Sequence, residues 1–292
     1  MNSALGPLTA SSAHHALLRE AEQLLGPRGF TTDPERMEPW LTDWRGRYTG
    51  RALALASPAS VAEVAALVKL CSAHRVPIVP QGGNSGMAGG ATPDASGEAM
   101  VLSLRRMNAI RRLDPAAGEV VCEAGVILQH LHEAAEAAQM RFPLTLGGKG
   151  SATIGGLIST NAGGTQVLRH GTMRAQVLGL EAVLANGEVL DLTTPLKKDN
   201  RGFDLKQLLI GSEGTLGIVT AATLRLLPAP VGRATAWVGL SGIIEARTLL
   251  RQMERVMGDT LEGFEVVPAH CLASVLAHQP TARAPLAETH PW

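Results

Sequence analysis

Several residue types are scarce in this 292-residue sequence, and each shortage excludes a class of protein. The three cysteines, Cys71, Cys122 and Cys271, are widely spaced and form no CxxC pair, which argues against a disulfide framework or a cysteine-ligated zinc site. Cys71 and Cys122 lie in apolar patterns and are predicted to be core residues. Aromatic residues make up only 3%, too few for the stacking platforms that bind single-stranded nucleic acid. The 26 basic residues equal the 26 acidic ones, so no net charge attracts nucleic acid or an anionic membrane.

Long apolar segments and targeting signals are also missing. No apolar run approaches the ~20 residues that a bilayer-spanning helix needs. Residues 1–15 lack the basic stretch followed by an apolar run that marks a secretory signal. Cysteines without a pairing pattern suit a reducing compartment. These features predict a cytoplasmic protein that is at most peripherally attached to a membrane.

The hydrophobic content, 45%, is sufficient to fill a core, and the length suggests about two domains. Ser60 and Glu63 have the capping-box spacing of a helix start. The apolar residues from Val61 to Cys71 then fall on one helical face. Short apolar runs lie before and after this helix. Residues 52–56, 61–76 and 78–79 are therefore predicted to form a β-α-β unit with parallel strands.

Further elements are predicted on both sides of this unit. A short helix is expected over residues 13–25, ended by the glycines and proline of 26–29. Later segments predict strands at 100–104, 109–113, 119–123 and 218–227, a helix at 126–139, and a hairpin over 178–192 with a type I′ turn at Asn186-Gly187. After Pro228 and Pro230 the pattern restarts, with a strand at 234–240, a helix at 243–257 and a strand at 261–267.

Glycine is concentrated in four clusters, each next to a predicted strand. Glycine permits a positive φ and a close backbone approach, and successive amides in such loops can converge on an anion. A single Gly-Gly pair most often marks only a turn, whereas four clusters rich in Ser, Thr and Asn favour a pyrophosphate ligand. The clusters are residues 82–90 (GGNSGMAGG), 147–151 (GGKGS), 155–164 (GGLISTNAGG) and 211–217 (GSEGTLG).

Two common nucleotide-binding motifs are not matched. The dinucleotide fingerprint GxGxxG must open a helix. The first cluster contains no GxG, and Thr153 stands where the Gly148-Lys149-Gly150 sequence would need its third glycine. A phosphate-binding GK[ST] sequence also fails, because Gly150 follows Lys149. The loops are therefore not an ordinary NAD or ATP site.

Three segments resemble the FAD-binding domain of PCMH-type, or vanillyl-alcohol oxidase-like, flavoproteins. They are residues 64–90 (VAALVKLCSAHRVPIVPQGGNSGMAGG), 144–164 (LTLGGKGSATIGGLISTNAGG) and 198–219 (KDNRGFDLKQLLIGSEGTLGIV). The sequences PQGGNSG, TNAGG and GSEGTLGI are most similar to the branch that holds D-2-hydroxyglutarate dehydrogenase, D-lactate dehydrogenase and the glycolate oxidase D subunit. The resemblance implies an α+β fold, with an N-terminal helical segment (1–39), a two-subdomain FAD-binding domain (40–228) and the start of a substrate or cap domain (229–292).

The resemblance also implies which residues contact FAD. The first loop would wrap the pyrophosphate, the second and third clusters would line the flavin and ribityl chain, and the fourth would approach the adenine side. Several relatives attach the flavin through a histidine in the first loop, whereas this neighbourhood contains none here, which predicts non-covalent FAD. The implied contacts are Pro80, Gln81, Gly82, Gly83, Asn84, Ser85, Gly86 and Met87 in the first loop; Leu144, Gly147, Ser151, Ile154, Gly155, Gly156, Ser159, Asn161, Ala162, Gly163 and Gly164 along the flavin and ribityl chain; and Glu213, Gly217 and Ile218 near the adenine.

The branch implies oxidation of a small D-2-hydroxy acid, of the D-2-hydroxyglutarate, D-lactate or glycolate type, by hydride transfer to FAD. Electrons would pass to an acceptor protein or a quinone-linked carrier, and a homodimer or a partner subunit is expected; nucleic acid is not. The branch carries its base and metal-binding histidines in an HxGDGNxH motif that this sequence lacks: Gly258-Asp259 is followed by Thr260. The sequence would then be the N-terminal part of such an enzyme, with no catalytic residue or metal ligand assigned within it.

Other histidines and arginines are weaker candidates for catalysis. His170 is predicted to be a polar loop residue packed near the cofactor. His130 and His132 are two apart on a predicted helix and do not share a face, which argues against a metal site. Four arginines could pair with a substrate carboxylate, but exposed polar loops are the favoured interpretation for Arg45, Arg47, Arg51 and Arg174.

Two alternative functions stay open. One is another PCMH-type oxidase or synthase, similar to alkyldihydroxyacetone-phosphate synthase or to a sugar-alcohol oxidase. The other is a non-catalytic flavin-binding subunit that a partner chain completes.

Overall fold

The computed structural model describes residues 12–196 and 198–292, and its architecture is α+β, as predicted. Residues 1–11 of the predicted N-terminal segment, including most of the region inspected for a secretory signal, lie outside the described residues. In chain order the elements are α1 (Ser12–Gly29), β1 (Phe30–Thr31), α2 (Pro34–Met37), β2 (Ala54–Ala56), α3 (Val61–His74), β3 (Ile78–Gln81), β4 (Met100–Ser103), β5 (Ile110–Asp114), β6 (Glu119–Glu123), α4 (Leu128–Ala137), β7 (Met140–Arg141), α5 (Ile154–Ser159), α6 (Val167–His170), β8 (Val177–Leu184), β9 (Val189–Leu192), α7 (Lys206–Leu209), β10 (Gly217–Arg225), β11 (Leu227–Pro228), α8 (Ile243–Met257) and α9 (Ala269–His278).

The first sheet has the strand order β1-β2-β4-β3. Strands β2 and β3 run parallel, as the β-α-β pattern predicted, but both pair with β4, which lies between them. Helix α3 begins as a capped helix: the Ser60 hydroxyl accepts a hydrogen bond from the Glu63 amide (3.2 Å), and the Glu63 carboxylate accepts one from the Ala59 amide (2.7 Å). These bonds satisfy amides that the first turn leaves without helical partners.

The second sheet is antiparallel, with the order β5-β6-β10-β8-β9. Its central strand β10 is buried along almost its whole length, and α4 and α5 pack into the same core. The β8–β9 hairpin forms as predicted, but its turn is not type I′, because only Gly187 has a positive φ (78°) at the predicted turn pair. The Gly187 amide donates to the Leu184 carbonyl, as in a type I turn followed by a left-handed glycine.

Helix α3 joins the two sheets. Its apolar face, including Leu67 and Cys71, packs into one core with the first sheet and α1. Val183 of β8 and Ile218 of β10 belong to that same core. Cys122 is buried in the second core. The prediction that Cys71 and Cys122 are core residues is therefore confirmed.

Residues 229–292 differ from the prediction in two elements. The helix α8 lies where a helix was predicted, but residues 234–240 and 261–267 are not strands, because neither segment finds a neighbouring strand to pair with. Among these residues, all of which are described, only Ala246 and Leu261 are buried hydrophobic residues. At the other end, the helix predicted over residues 13–25 ends at the non-helical Gly26 (φ 66°), as predicted, and a second short helical stretch completes the span of α1. No helix within the described ranges combines the length and apolarity needed to cross a bilayer.

Candidate functional site

The first glycine loop follows β3, and two amide side chains hold it in place. Gln81, only 2% exposed, donates hydrogen bonds from its Nε2 to the carbonyls of Trp40 (2.9 Å) and Ala91 (2.8 Å). Asn84 has a positive φ of 50° and donates from its Nδ2 to the Thr42 carbonyl (2.8 Å). No backbone amide of residues 82–87 donates to another backbone group within the described ranges. The loop is thus anchored through side chains while its amides stay available to an anion.

The second cluster lies directly against this loop. Gly83 abuts the Ser151 carbonyl oxygen and Gly82 abuts the Thr153 hydroxyl, so closely that a β-carbon at either glycine would overlap them. By contrast, a β-carbon added at Gly86 would meet no atom within 4 Å. Glycine is therefore required in one part of the loop for close packing, whereas another part faces open space that a ligand can use.

Helix α5 carries the next predicted contacts. Thr153 caps it by accepting a hydrogen bond from the Gly156 amide (3.4 Å), and Gly155 packs against Ala124. Ile154 is fully buried. Several predicted contact residues are thus part of the core that supports the loops, namely Leu144, Ile154, Gly155, Gly217 and Ile218.

The fourth cluster bridges the two halves of the site. The Glu213 amide donates to the Ser159 carbonyl (2.9 Å), and Gly214 (φ 81°) packs on the ring of Pro80. The Glu213 carboxylate reaches Gly90 of the first cluster, with its Oε2 2.8 Å from the position of an added β-carbon. The structure therefore brings loops from both sheets together, although they are about 130 residues apart in the sequence.

The third cluster packs against the segment that precedes the second cluster. Gly164 packs against the Thr145 carbonyl, just after Leu144. Asn161 has a positive φ of 47°, and its Oδ1 accepts a hydrogen bond from the Arg174 amide (3.0 Å). Arg174 is half-buried and its guanidinium donates to backbone carbonyls, so the favoured interpretation of an exposed loop residue is wrong for this arginine.

A tight turn beside the first loop was not predicted. The buried Asp43 carboxylate accepts hydrogen bonds from the amides of Tyr48 (2.6 Å), Arg47 (2.6 Å) and Arg45 (3.0 Å). These bonds, that of Tyr48 first, lower the pKa of Asp43. The Arg45 guanidinium lies 3.0 Å from the sulfur of Met87. The turn therefore holds a cationic side chain against the first glycine loop.

A polar cluster joins the C-terminal region to Arg141 of β7 and to the segment 166–170, which follows the third cluster. The Glu262 carboxylate pairs with Arg141 and with Arg169 (3.1 Å), and it lies 3.6 Å from His170 Nε2. Burial opposes ionisation of Glu262, but the Arg141 hydrogen bond and charge, followed by Gln166, outweigh it and lower the pKa of Glu262 to about 2. Burial first, and then the positive charges of Arg141 and Arg169, lower the pKa of His170. His170, which was predicted to lie in a loop, is the last residue of α6, and it packs against this ion-pair cluster with its neutral form favoured.

The predicted helix histidines form no such cluster. His132 Nε2 lies 2.9 Å from the Leu144 carbonyl oxygen, and burial lowers the pKa of His132. Within residues 12–196 and 198–292, no three His, Cys, Asp or Glu side chains gather as metal ligands.

Part of the chain is similar to a known family of domains. Residues 52–193 match the family model described as an FAD binding domain. The loops fit this cofactor, since FAD needs many backbone donors around its pyrophosphate, and within the described part of the chain the amides of residues 82–87 have no backbone acceptor.

Sequence similarity to known proteins extends beyond residues 52–193. The chain is 42% identical over 252 residues to the mitochondrial D-2-hydroxyglutarate dehydrogenase of Bos taurus, covering 86% of this chain and 46% of the bovine protein. It is 40% identical over 264 residues to the D-2-hydroxyglutarate dehydrogenase of Xanthomonas citri pv. viticola, covering 89% and 54%. The chain thus spans about half the length of these relatives.

Solved structures share the fold at lower identity. An alkyldihydroxyacetonephosphate synthase superimposes with a TM-score of 0.73 at 21% identity, covering 87% of this chain and 48% of that protein. At this identity the likeness shows the fold alone.

Proposed function

We propose that this chain is the FAD-binding part of a dehydrogenase that oxidises a D-2-hydroxy acid, with D-2-hydroxyglutarate as the first candidate. The main support for this proposal is structural: the first loop contacts the second cluster, with Gly83 against the Ser151 carbonyl. The chain is also 42% identical to a D-2-hydroxyglutarate dehydrogenase. The substrate class is taken from the names of the relatives. When bound, FAD would accept the hydride from the α-carbon of the substrate.

The residues of the four clusters would hold the cofactor through backbone rather than side chains. The free amides of residues 82–87 would bind the pyrophosphate. The exposed glycines Gly147 and Gly163 would let the ribityl chain approach the backbone. Leu144, Ile154 and Ile218 would support this surface from the core, and Glu213 would lie at the adenine side.

FAD would be held without a covalent bond. The part of the first loop where several relatives carry an attaching histidine reads Gly83-Asn84-Ser85 here, and the Asn84 side chain donates to the Thr42 carbonyl. Acid precipitation should therefore release all of the flavin into the supernatant. Flavin that stays with the precipitated protein would contradict this part of the proposal.

We also propose a cytoplasmic location. Cys71, Cys122 and Cys271 are free thiols, which suits a reducing compartment. The acceptor of the electrons would be a protein or a quinone-linked carrier. We expect a homodimer or a complex with a partner subunit. The domain division at residues 39/40 and 228/229 is part of the same proposal.

A non-catalytic flavin-binding subunit is the second candidate. It is favoured by residues 229–292, where α8 and α9 leave large apolar side chains such as Ile244 (64%) and Val256 (84%) exposed. Apolar surface of this kind is commonly covered by further protein. In this case the chain would bind FAD yet need another polypeptide for turnover.

One experiment separates these candidates. The purified chain is reconstituted with FAD, freed of excess cofactor and mixed anaerobically with D-2-hydroxyglutarate, with the L-enantiomer as the control. Bleaching of the visible flavin band by the D-enantiomer alone supports the dehydrogenase. Bound flavin that neither enantiomer bleaches shows that turnover needs residues outside this chain; bleaching restored by a co-purified second polypeptide then supports the subunit. Absence of bound flavin contradicts both candidates.

A further inference from the structure

Arg174 connects two of the glycine clusters without belonging to either. Its Nη1 donates to the backbone carbonyl and the side-chain Oε1 of Gln207, both at 2.7 Å, and its Nη2 donates to the Ile210 carbonyl at 2.5 Å. Its backbone amide donates to Asn161 (3.0 Å). One residue thus ties the third cluster to the segment that enters the fourth.

The segment that Arg174 holds has an unusual backbone. Gly211, Glu213 and Gly214 all have positive φ values, of 84°, 52° and 81°. A non-glycine residue such as Glu213 in this region costs free energy and persists only where its surroundings fix it. Arg174 binds the carbonyls that immediately precede this loop. It therefore fixes the position at which the loop begins.

The same loop sets the spacing between the two halves of the site. On one side the Glu213 amide binds the Ser159 carbonyl (2.9 Å). On the other side Gly214 packs on Pro80, and Glu213 reaches Gly90. A displacement at residues 207–210 would therefore be transmitted both to Ser159 of the third cluster and to Pro80 and Gly90 around the first glycine loop.

We infer that Arg174 is a positioning residue for FAD, an inference that rests on the proposed function. It acts without touching the cofactor: its guanidinium holds the Gln207 and Ile210 carbonyls, and the loop 211–214 then keeps the first glycine loop and the third cluster at the separation that FAD requires. The planar fork of arginine suits this role, because a lysine ammonium on a flexible stem cannot satisfy the same set of acceptors in fixed geometry.

The test compares the variants Arg174→Gln and Arg174→Lys with a matched control, Arg111→Lys. Arg111 also makes several side-chain bonds, an exposed one to Glu123 (3.3 Å) and two partly buried ones to Glu181 (3.3 and 3.2 Å), but within the second sheet. FAD dissociation constants are measured by flavin fluorescence, the geometry of bound flavin by visible circular dichroism, and stability by melting of the apoprotein.

We expect the FAD dissociation constant to rise about tenfold or more in Arg174→Gln and about threefold in Arg174→Lys, and to stay within about twofold in Arg111→Lys. The circular dichroism of bound flavin should change only in the two Arg174 variants. If Arg174→Gln does not fold, Arg174→Lys decides the question.

Two results would overturn the inference. One is an Arg174→Lys variant with the same FAD affinity and flavin dichroism as Arg111→Lys while the wild type binds FAD. The other is an equal loss of FAD affinity in Arg174→Lys and Arg111→Lys that follows their melting temperatures, since this would assign Arg174 a general structural role. Failure of the wild type itself to bind FAD would instead reject the proposed function.

Discussion

Gly83 lies directly against the carbonyl oxygen of Ser151, with no room between them for a side chain. The contact joins the first loop, which follows β3 of the first sheet, to the second cluster, which precedes helix α5. Close backbone approach of this kind requires glycine. An added methyl group should therefore disturb the fold at Gly83, where it would overlap Ser151, and only ligand binding at Gly86, where it would meet no protein atom.

Substitution of alanine should therefore have different effects at Gly83 and Gly86. Gly83→Ala places a methyl group on the Ser151 carbonyl and should reduce the free energy of unfolding by roughly 1–3 kcal/mol. Gly86→Ala meets no protein atom within 4 Å and should leave apoprotein stability unchanged, but it should weaken FAD binding. Urea unfolding measures the stability and FAD titration measures the affinity.

Gly232→Ala is the control, because a β-carbon at Gly232 also meets no atom within 4 Å. Equal stability of the Gly83 and Gly86 variants would refute the packing argument.

Glu262 should make stability depend on acid pH. Its pKa is about 2 in the folded chain and 4.5 ordinarily, so its ionised form stabilises the fold above about pH 4.5, and this contribution is lost as the pH falls towards 2. Glu262→Gln should cost about 2 kcal/mol at neutral pH and flatten the decline in stability below pH 4.5.

Glu254→Gln is the control for this prediction, since Glu254 makes an exposed pair with Arg251 and should contribute less than about 1 kcal/mol. Both variants are unfolded in urea at several pH values. An undiminished acid slope in Glu262→Gln would contradict the assignment.

The three cysteines should differ sharply in reactivity. Burial raises the pKa of both Cys71 and Cys122 to about 12, so neither forms thiolate at neutral pH, whereas Cys271 is exposed. A thiol reagent should titrate one group in the native chain and all three after denaturation. Rapid labelling of a second native thiol would mean that one of the cores opens.

Much of the FAD-binding domain could be predicted because its signals are local. The capping box at Ser60, the apolar face of α3 and the glycine clusters are each contained within a few residues. Their chemistry therefore indicated the elements and the places where the glycine loops would lie. The strand order was not predictable, because β4 is inserted between β2 and β3 through pairings between distant segments.

The hydrogen bonds and ion pairs that hold the glycine loops in place could not be predicted either, because they also join distant segments. Glu262 and Arg141 are 121 residues apart, and Arg174 binds carbonyls more than 30 residues away. Such hydrogen bonds leave no periodic trace in a sequence. The segments 234–240 and 261–267 show the converse error: their apolar composition suits a strand, but a strand also needs a neighbour with which to pair.

Helix α3 fixes the positions of the two sheets relative to each other more firmly than the loop contacts alone would. Because Leu67 shares one core with Val183 of β8 and Ile218 of β10, the two sheets cannot separate at α3 without exposing apolar side chains to water. The glycine loops that follow β3 and precede β10 therefore take their relative positions as the chain folds. A ligand bound between them would have little backbone left to order, which lowers the entropic cost of its binding.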